Sequence, residues 1–279
     1  MGLVTEKWNI ACRPCKGFRD TDAPYRKFPG DAGGWYADPF LFEYDGTIYL
    51  FAEYFSYRTR KGSIVVFTYD KNRNDFTGRK EILCEDFLMS YPLVFSHGNS
   101  IYMLPETEQA GALILYRAVR FPYEWKKEKV LYAGRRLVDT TLLPDGGAVS
   151  QALDNGGAPE AFLLLTRDGT GVSVKELTHC PLRRCRPGGA FFRENDITVA
   201  TAQDCADTYG GALEFYDFAT GQTLFRLSPE NINIAGERGQ ILGVHTYNRC
   251  GGIEVIDYKT GTVSLNRIAN RAVSILKRK

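Results

Sequence analysis

Two stretches decide the fold: DPFLFEYDGTIYLFAE at residues 38–53 and YPLVFSHGNSIYMLPE at residues 91–106. They align without a gap, and four features coincide: the prolines, the phenylalanines Phe42 and Phe95, the Ile-Tyr pairs and the final glutamates. Each reads as an apolar strand, a turn rich in Gly, Asp or Asn, and a second apolar strand, which is the pattern of a β-hairpin. Another predicted strand pair follows each hairpin.

The same pattern continues more weakly in three further units, and we find no sustained helical periodicity. Five units of about fifty residues predict an all-β fold, a five-bladed β-propeller of four-stranded antiparallel blades. A single domain is expected over residues 1–279, with blades starting near residues 36, 90, 138, 187 and 236. Residues 1–30 are expected to close the ring by adding a strand around Trp8 to the last blade, and residues 270–279 to form a solvated basic tail.

Composition narrows the class of protein. The chain has 35 basic and 33 acidic residues, so charge gives no reason to expect a nucleic-acid partner. No apolar run is long enough to span a bilayer, and the N-terminus lacks the pattern of a secretory signal, which predicts a cytoplasmic protein. Seven irregularly spaced cysteines fit reduced thiols. Cys12-x-x-Cys15 with Cys180 and Cys185 has poor spacing for zinc, and no metal site is predicted there.

Hairpin geometry gathers polar residues at one end of the blades, because paired positions in an antiparallel hairpin have a constant index sum. The count places Asp38 near Glu53, Tyr91 near Glu106, Asp139 opposite Gln151 or Ala152, and Arg186 near Gln203. All lie where the innermost strands begin, at one mouth of the central channel. The side chains collected there can bind sugar hydroxyls or transfer protons: Asp38, Glu53, Tyr91, Glu106, Asp139, Arg186, Gln203 and Asp204.

The stretch WYADPFLFEYDGTIYLFAE resembles the first blade of the propeller glycosidases of glycoside hydrolase family 43. A closer resemblance is to the N-terminal propeller module of plant glucosamine inositolphosphorylceramide transferases and related bacterial proteins. It rests on YADPFLF, SYPLVF, YMLPET, LYRA with FPYEW, VDTTLL, RPGGAFF, AQDCADTYGGAL and GVHTYN, and it extends from about Trp35 to Tyr258. The transferase activity of the plant proteins is not expected here, because 279 residues leave no room for their glycosyltransferase domain.

The hydrolase resemblance implies that Asp38, directly before Pro39, is a general base. The general acid is either Glu106 or Asp139, since the family takes a Glu from blade three and this chain has Asp139 there. The second Asp-Pro of the family is replaced by Tyr91-Pro92, which weighs against standard family chemistry. An inverting hydrolase needs one carboxylate to activate water and one protonated carboxyl for the leaving group.

Further ligand contacts are expected around this pair. His245 resembles the channel histidine of these propellers, so a channel-bound cation near it is an open alternative, although no cofactor is required. Arg186 either binds an acidic group on a sugar or pairs with Asp204. Trp35 either stacks on a sugar ring or packs in the core, and Tyr209 in AQDCADTYGGAL is taken as a ligand contact.

Three functions therefore stay open. The first is a glycoside hydrolase-like enzyme that acts on a glycan or glycoconjugate. The second is a non-catalytic module that binds a sugar or nucleotide-sugar and assists a glycan-synthesis enzyme. The third is a scaffold whose rim recruits a partner protein.

Overall fold

The computed structural model describes residues 4–144, 146–168, 171–177 and 186–263. The N-terminal segment forms β1 (Val4–Pro14) and β2 (Tyr25–Lys27). Blade one consists of β3 (Gly34–Tyr44), β4 (Thr47–Ser56), β5 (Gly62–Asp70) and β6 (Asp75–Leu83). Blade two consists of β7 (Ser90–His97), β8 (Ser100–Glu106), a short 3-10 helix (Glu108–Ala110), β9 (Ala112–Arg120) and β10 (Glu124–Ala133).

Blade three contains β11 (Arg136–Leu142), β12 (Ala148–Leu153), β13 (Pro159–Asp168) and β14 (Gly171–Glu176). Blade four contains β15 (Arg186–Pro187), β16 (Phe192–Glu194), β17 (Ile197–Asp204), β18 (Ala212–Asp217) and β19 (Thr223–Leu227). The last blade contains β20 (Ile234–Ala235), β21 (Gln240–Gly243), β22 (Tyr247–Cys250) and β23 (Ile253–Val263). This architecture confirms the predicted five-bladed, all-β propeller.

The ring closes through the N-terminal strand. β1 pairs antiparallel with β23, with Trp8 opposite Lys259 and Ile10 opposite Asp257. β2 then pairs with β1, and β20 adds to β2 in parallel. The last blade therefore combines strands from the two ends of the described chain, as the segment around Trp8 was expected to do.

The core lies between the faces of neighbouring blades, where large apolar side chains from consecutive sheets interlock. One cluster joins Ile10 and Val255 of the last blade to Leu50 and Val65 of blade one. No helix in the described part of the chain is long and apolar enough to cross a membrane. Cys180, Cys185 and the basic tail lie outside the described residues.

A backbone irregularity recurs near the start of the innermost strands. In blades one to three the strand pairing skips two residues, and the first of each skipped pair has a positive φ: 50° at Asp38, 48° at Tyr91 and 50° at Asp139. Left-handed backbone costs about 1–2 kcal/mol for such residues and is concentrated at functional sites. In blade four the interruption carries Gly189 at φ 123°, where a Cβ would come within 2.1 Å of the Tyr247 carbonyl oxygen.

These bulges shift the predicted register by one residue. Arg186 pairs with Gln203 as predicted. In the other blades the residue before the bulge takes the pairing position: Ala37 faces Glu53, Ser90 faces Glu106 and Val138 faces Gln151. The three bulged residues are thereby released from the sheet ladder, because a bulge leaves its extra residues unpaired.

Candidate functional site

Asp38 is held by three neighbouring groups. Its Oδ2 accepts a hydrogen bond from the Tyr91 backbone N–H at 3.2 Å, and its Oδ1 accepts one from the Thr246 hydroxyl at 3.0 Å. The His245 Nε2 is 3.6 Å from the same Oδ1. Burial raises the pKa of Asp38 to about 6, although the adjacent His245 acts in the opposite direction. The carboxyl is therefore mostly ionised at neutral pH and protonated in mild acid.

Asp257 organises the other side of Asp38. Its Oδ1 accepts the backbone N–H groups of His245 and Thr246 at 3.1 and 2.9 Å, and its Oδ2 accepts the Asp38 N–H at 2.9 Å. His245 Nδ1 lies 2.6 Å from Asp257 Oδ2, and Trp8 stacks on the imidazole with ring centroids 3.8 Å apart. Burial opposes the charged imidazole, but Asp257 outweighs it and the pKa of His245 is raised. His245 is thus held between two aspartates.

The opposite wall is built around Arg186. Its Nε lies 2.6 Å from Asp139 Oδ2 and its Nη2 lies 2.9 Å from Glu106 Oε2. Gln203 Nε2 also donates to Asp139 Oδ2 at 2.9 Å. Burial and then Asp139 raise the pKa of Glu106 well above its usual range, although Arg186 acts to lower it. The predicted pairing of Arg186 with Asp204 is therefore wrong, because Asp139 and Glu106 hold the guanidinium. Contact of Arg186 with an acidic group on a sugar stays a prediction.

Glu53 differs from the other carboxyls. Its side chain is buried, and burial followed by the Asp38 and Glu106 carboxylates raises its pKa well above the usual range. Among the described residues none donates a hydrogen bond or forms an ion pair to its carboxyl group. Gly62 has no side chain and so leaves room for the Glu53 carboxyl group. A Cβ at position 62 would come within 2.7 Å of Glu53 Oε1.

Tyr91 was expected to contact a ligand, but the structure places its side chain below the mouth. The residue is fully buried, with its ring packed edge-on against Phe40. Its hydroxyl accepts the Gly189 N–H at 2.7 Å and lies 2.7 Å from the Thr141 hydroxyl. Tyr91 therefore ties blade two to blade four across the channel, and only its backbone N–H reaches Asp38.

The remaining predicted contacts lie nearer the rim. Tyr209 is half-exposed, its ring 5.5 Å from the His245 ring and 5.4 Å from the Arg186 guanidinium. Trp35 is half-buried and stacks on Phe55, with ring centroids 4.9 Å apart. Asp204 turns away from the mouth and forms an ion pair with Arg226.

A candidate cation site coincides with the Asp38 side of the mouth. One ligand atom each of Asp38, His245 and Asp257 lies within 4.8 Å of the others. Carboxylate and imidazole ligands suit a divalent cation. These atoms already contact one another, however, so a bound cation would replace the 2.6 Å contact between His245 and Asp257.

Three residues of the site were not predicted as site residues: Asp257, Thr246 and Trp8. Asp257 carried a signal, because it interrupts the apolar strand IEVIDY and its side chain would otherwise be unpaired in a core strand. Thr246 follows His245 and offered no signal of its own. Trp8 stacks on His245, which is more than two hundred positions away in the sequence. Hydrophobic periodicity does not predict contacts between such distant residues.

Comparisons with known proteins agree with the resemblance predicted from the sequence. Residues 25–150 match the family model described as "Glucosamine inositolphosphorylceramide transferase 1, N-terminal". The curated protein of that name from Oryza sativa subsp. indica is 33% identical over 193 residues, covering 64% of this chain and 26% of the rice protein. The Arabidopsis thaliana protein is 31% identical over 199 residues, covering 62% of this chain and 24% of its own length. The chain thus spans about a quarter of the length of these relatives.

Solved structures share the fold at low sequence identity. The catalytic domain of a GH62 α-L-arabinofuranosidase from Coprinopsis cinerea has a TM-score of 0.55 at 10% identity, covering 87% of this chain and 96% of that one. An exo-1,5-α-L-arabinanase from a bovine ruminal metagenomic library has a TM-score of 0.53 at 12% identity, covering 81% and 88%. These matches confirm the predicted resemblance. The chain is a five-bladed β-propeller that is similar, over residues 25–150, to the N-terminal domain of glucosamine inositolphosphorylceramide transferase 1.

Proposed function

We propose that the mouth of the propeller binds a carbohydrate and hydrolyses a glycosidic bond, with Asp38 as general base and Glu106 as general acid. One observation carries the proposal: two buried carboxyl groups of the same mouth are held by different partners, Asp38 by the Thr246 hydroxyl and the Tyr91 N–H, and Glu106 by the Arg186 guanidinium. Asp38 has a pKa of about 6, whereas that of Glu106 is raised well above its usual range. On this proposal Asp38 is the carboxylate that activates water, and Glu106 is the carboxyl that keeps its proton for the leaving group.

The contacts of each residue suit its role. Asp38 is oriented by Thr246 and the Tyr91 N–H, so its carboxylate keeps one geometry while it takes a proton from the attacking water. Glu106 gives its proton to the oxygen of the leaving sugar as the glycosidic bond breaks. The carboxylate left on Glu106 is then stabilised by Arg186, 2.9 Å away. Asp139 is a weaker choice for the acid, because its Oδ2 accepts from Arg186 and Gln203 at 2.6 and 2.9 Å. The two donors to Glu106 Oε2, Arg186 Nη2 and the Asp139 N–H, lie farther away, at 2.9 and 3.2 Å.

The similarity to carbohydrate-related proteins supports a carbohydrate as the substrate. The plant relatives carry the name glucosamine inositolphosphorylceramide transferase 1, and the structural neighbours include an arabinanase and an arabinofuranosidase. A glycan or glycoconjugate is therefore the substrate class to test first.

The experiment is a screen of aryl-glycosides with the wild type, Asp38→Asn and Glu106→Gln. We expect turnover by the wild type and a loss of at least about a hundredfold in each variant, the scale of a lost general acid or base. Asp204→Asn is the matched control, because Asp204 faces away from the mouth. Equal turnover by the wild type and Asp38→Asn would remove Asp38 from the mechanism.

A second candidate is a non-catalytic sugar-binding module, and one observation favours it. Tyr91 stands where the family places a second aspartate, and its side chain is locked to Gly189 below the site. Thermal shift with neutral sugars and nucleotide-sugars separates the two functions. Stabilisation of about 2.7 kcal/mol at a hundredfold excess over Kd, without turnover of any glycoside, would support this second function.

A further inference from the structure

Two aromatic rings at the mouth end of blade one have no part in the proposed mechanism. Trp35 and Phe55 face each other on the paired strands β3 and β4, and their rings stack with centroids 4.9 Å apart and planes 12° from parallel. Both side chains are half-buried, and neither belongs to a hydrophobic core cluster formed by the described residues. Core packing therefore does not account for this pair.

The strand order sets the direction in which the stack points. β3 is the edge strand of its sheet on the channel side, and β4 is the next strand outward. Parallel rings at this distance overlap face to face rather than lying side by side. Phe55 therefore covers the outer face of the Trp35 ring, and the other face of Trp35 looks past the edge of the sheet toward the channel.

The aromatic pair adjoins the mouth. Side chains alternate along a strand, so Phe55 lies on the same face of β4 as Glu53, two residues or about 7 Å farther along it. Trp35 also lines a small cleft together with Trp8, whose ring stacks on His245 of the mouth. A ligand that occupies the mouth therefore needs only one further ring to reach Trp35.

We propose that the channel-facing side of Trp35 binds a second sugar unit of the substrate, beside the unit held at Asp38. The flat apolar face of an indole matches the C–H face of a sugar ring, and its burial favours binding without a charged partner. The ligand is then a glycan of at least two sugar units, bound in preference to the matching monosaccharide. This inference rests on the proposed function, because it adds a subsite to the same mouth.

Calorimetric titration of the full chain with matched sugars tests the subsite: xylobiose against xylose, arabinobiose against arabinose, cellobiose against glucose, and mannobiose against mannose. Asp38→Asn is the background for every titration, so that no bond is cleaved while binding is measured. We expect at least one disaccharide to bind about tenfold more tightly than its monosaccharide.

Substitutions of Trp35 separate the platform from the rest of the mouth. Trp35→Leu should reduce the disaccharide advantage to about twofold or less and leave the monosaccharide affinity unchanged. Trp35→Phe should keep most of the advantage, because a flat ring remains. Trp125→Leu is the matched control, since Trp125 is also half-buried but lies on the outer strand β10, and it should leave the advantage unchanged.

A second measurement does not require the leucine variant to fold. Fluorine NMR of protein labelled with fluorotryptophan gives one signal for each of the three tryptophans. The Trp35 signal, assigned with Trp35→Phe, should shift when the preferred disaccharide is added but not with its monosaccharide, and the Trp125 signal should stay in place.

The outcomes separate this inference from the proposed function. A disaccharide advantage kept in Trp35→Leu, or equal affinities within every pair that binds, would overturn the inference and leave the proposed function standing. Absence of binding by every sugar in the panel would also overturn the inference. It would overturn the proposed function as well if the wild type turned over no aryl-glycoside.

Discussion

Replacing Asp38 by asparagine should stabilise the protein at neutral and alkaline pH. Asp38 is 5% exposed, and its pKa rises from an ordinary value of 3.8 to about 6. Between these two values the folded protein binds the proton that the unfolded chain has released. The free energy of unfolding therefore decreases as pH rises through this window, because the folded state must ionise a buried carboxyl.

The magnitude follows from the two values. One pKa unit corresponds to about 1.4 kcal/mol, so the change from 3.8 to about 6 amounts to about 3 kcal/mol. Asparagine has no proton to lose. It also fits the site, because its carbonyl oxygen can accept from the Tyr91 N–H, its amide can donate to the Thr246 oxygen, and asparagine tolerates a φ of 50°.

The assay is chemical unfolding of the wild type and Asp38→Asn between about pH 4 and about pH 8. The variant should gain up to about 3 kcal/mol over the wild type near pH 8, roughly 6 °C in Tm, and the gain should vanish near pH 4. Asp45→Asn is the control, since Asp45 has the same φ of 50° but is exposed in a turn. A gain that is equal at both pH values, or a variant less stable than the wild type near pH 8, would contradict a raised pKa of Asp38 as the source of the gain.

Three further substitutions test the architecture around the site. Tyr91→Phe removes the acceptor of the Gly189 N–H and should lower the free energy of unfolding by about 1–3 kcal/mol in urea; no measurable loss would contradict the cross-channel bond. Arg186→Met should cost about 3–5 kcal/mol, because it leaves the buried Asp139 carboxyl without its cation; no measurable loss would contradict the pairing. Gly189→Ala should prevent folding, as judged by circular dichroism, because its Cβ meets a carbonyl oxygen at 2.1 Å, whereas Gly46→Ala has open space and should cost only about 1 kcal/mol.

Much of the fold could be predicted because the repeat is local. Each hairpin shows its strands, its turn and its next strand pair within about fifty residues, and hydrophobic alternation sets which face is buried. The pairing of Arg186 with Gln203 followed directly from the position of the turn. The bulges at Asp38 and Asp139 could not be read in this way, because an extra residue alters the index sum without altering the hydrophobic pattern.

The candidate site was predicted in its location and only partly in its contacts. The repeat geometry predicted that Asp38, Glu106 and Asp139 lie at one mouth, since equivalent positions of a propeller face one channel. It did not reveal that Arg186 holds Glu106 and Asp139 together, because partner choice depends on side-chain reach across three blades. A repeat predicts where side chains start, and the structure is needed to show where their charged ends meet.

In the proposed mechanism Asp38 and Glu106 share one mouth, Asp38 as the ionised base and Glu106 as the protonated acid. A carbon-13 NMR titration of the side-chain carboxyls, assigned with Asp38→Asn and Glu106→Gln, measures the pKa of both directly in the unliganded protein. We predict that Asp38 titrates near pH 6 and that Glu106 keeps its proton to a higher pH than Asp38. If both carboxyls instead titrate together near about pH 4, the ordinary range for exposed groups, the acid and base roles proposed for this mouth are contradicted.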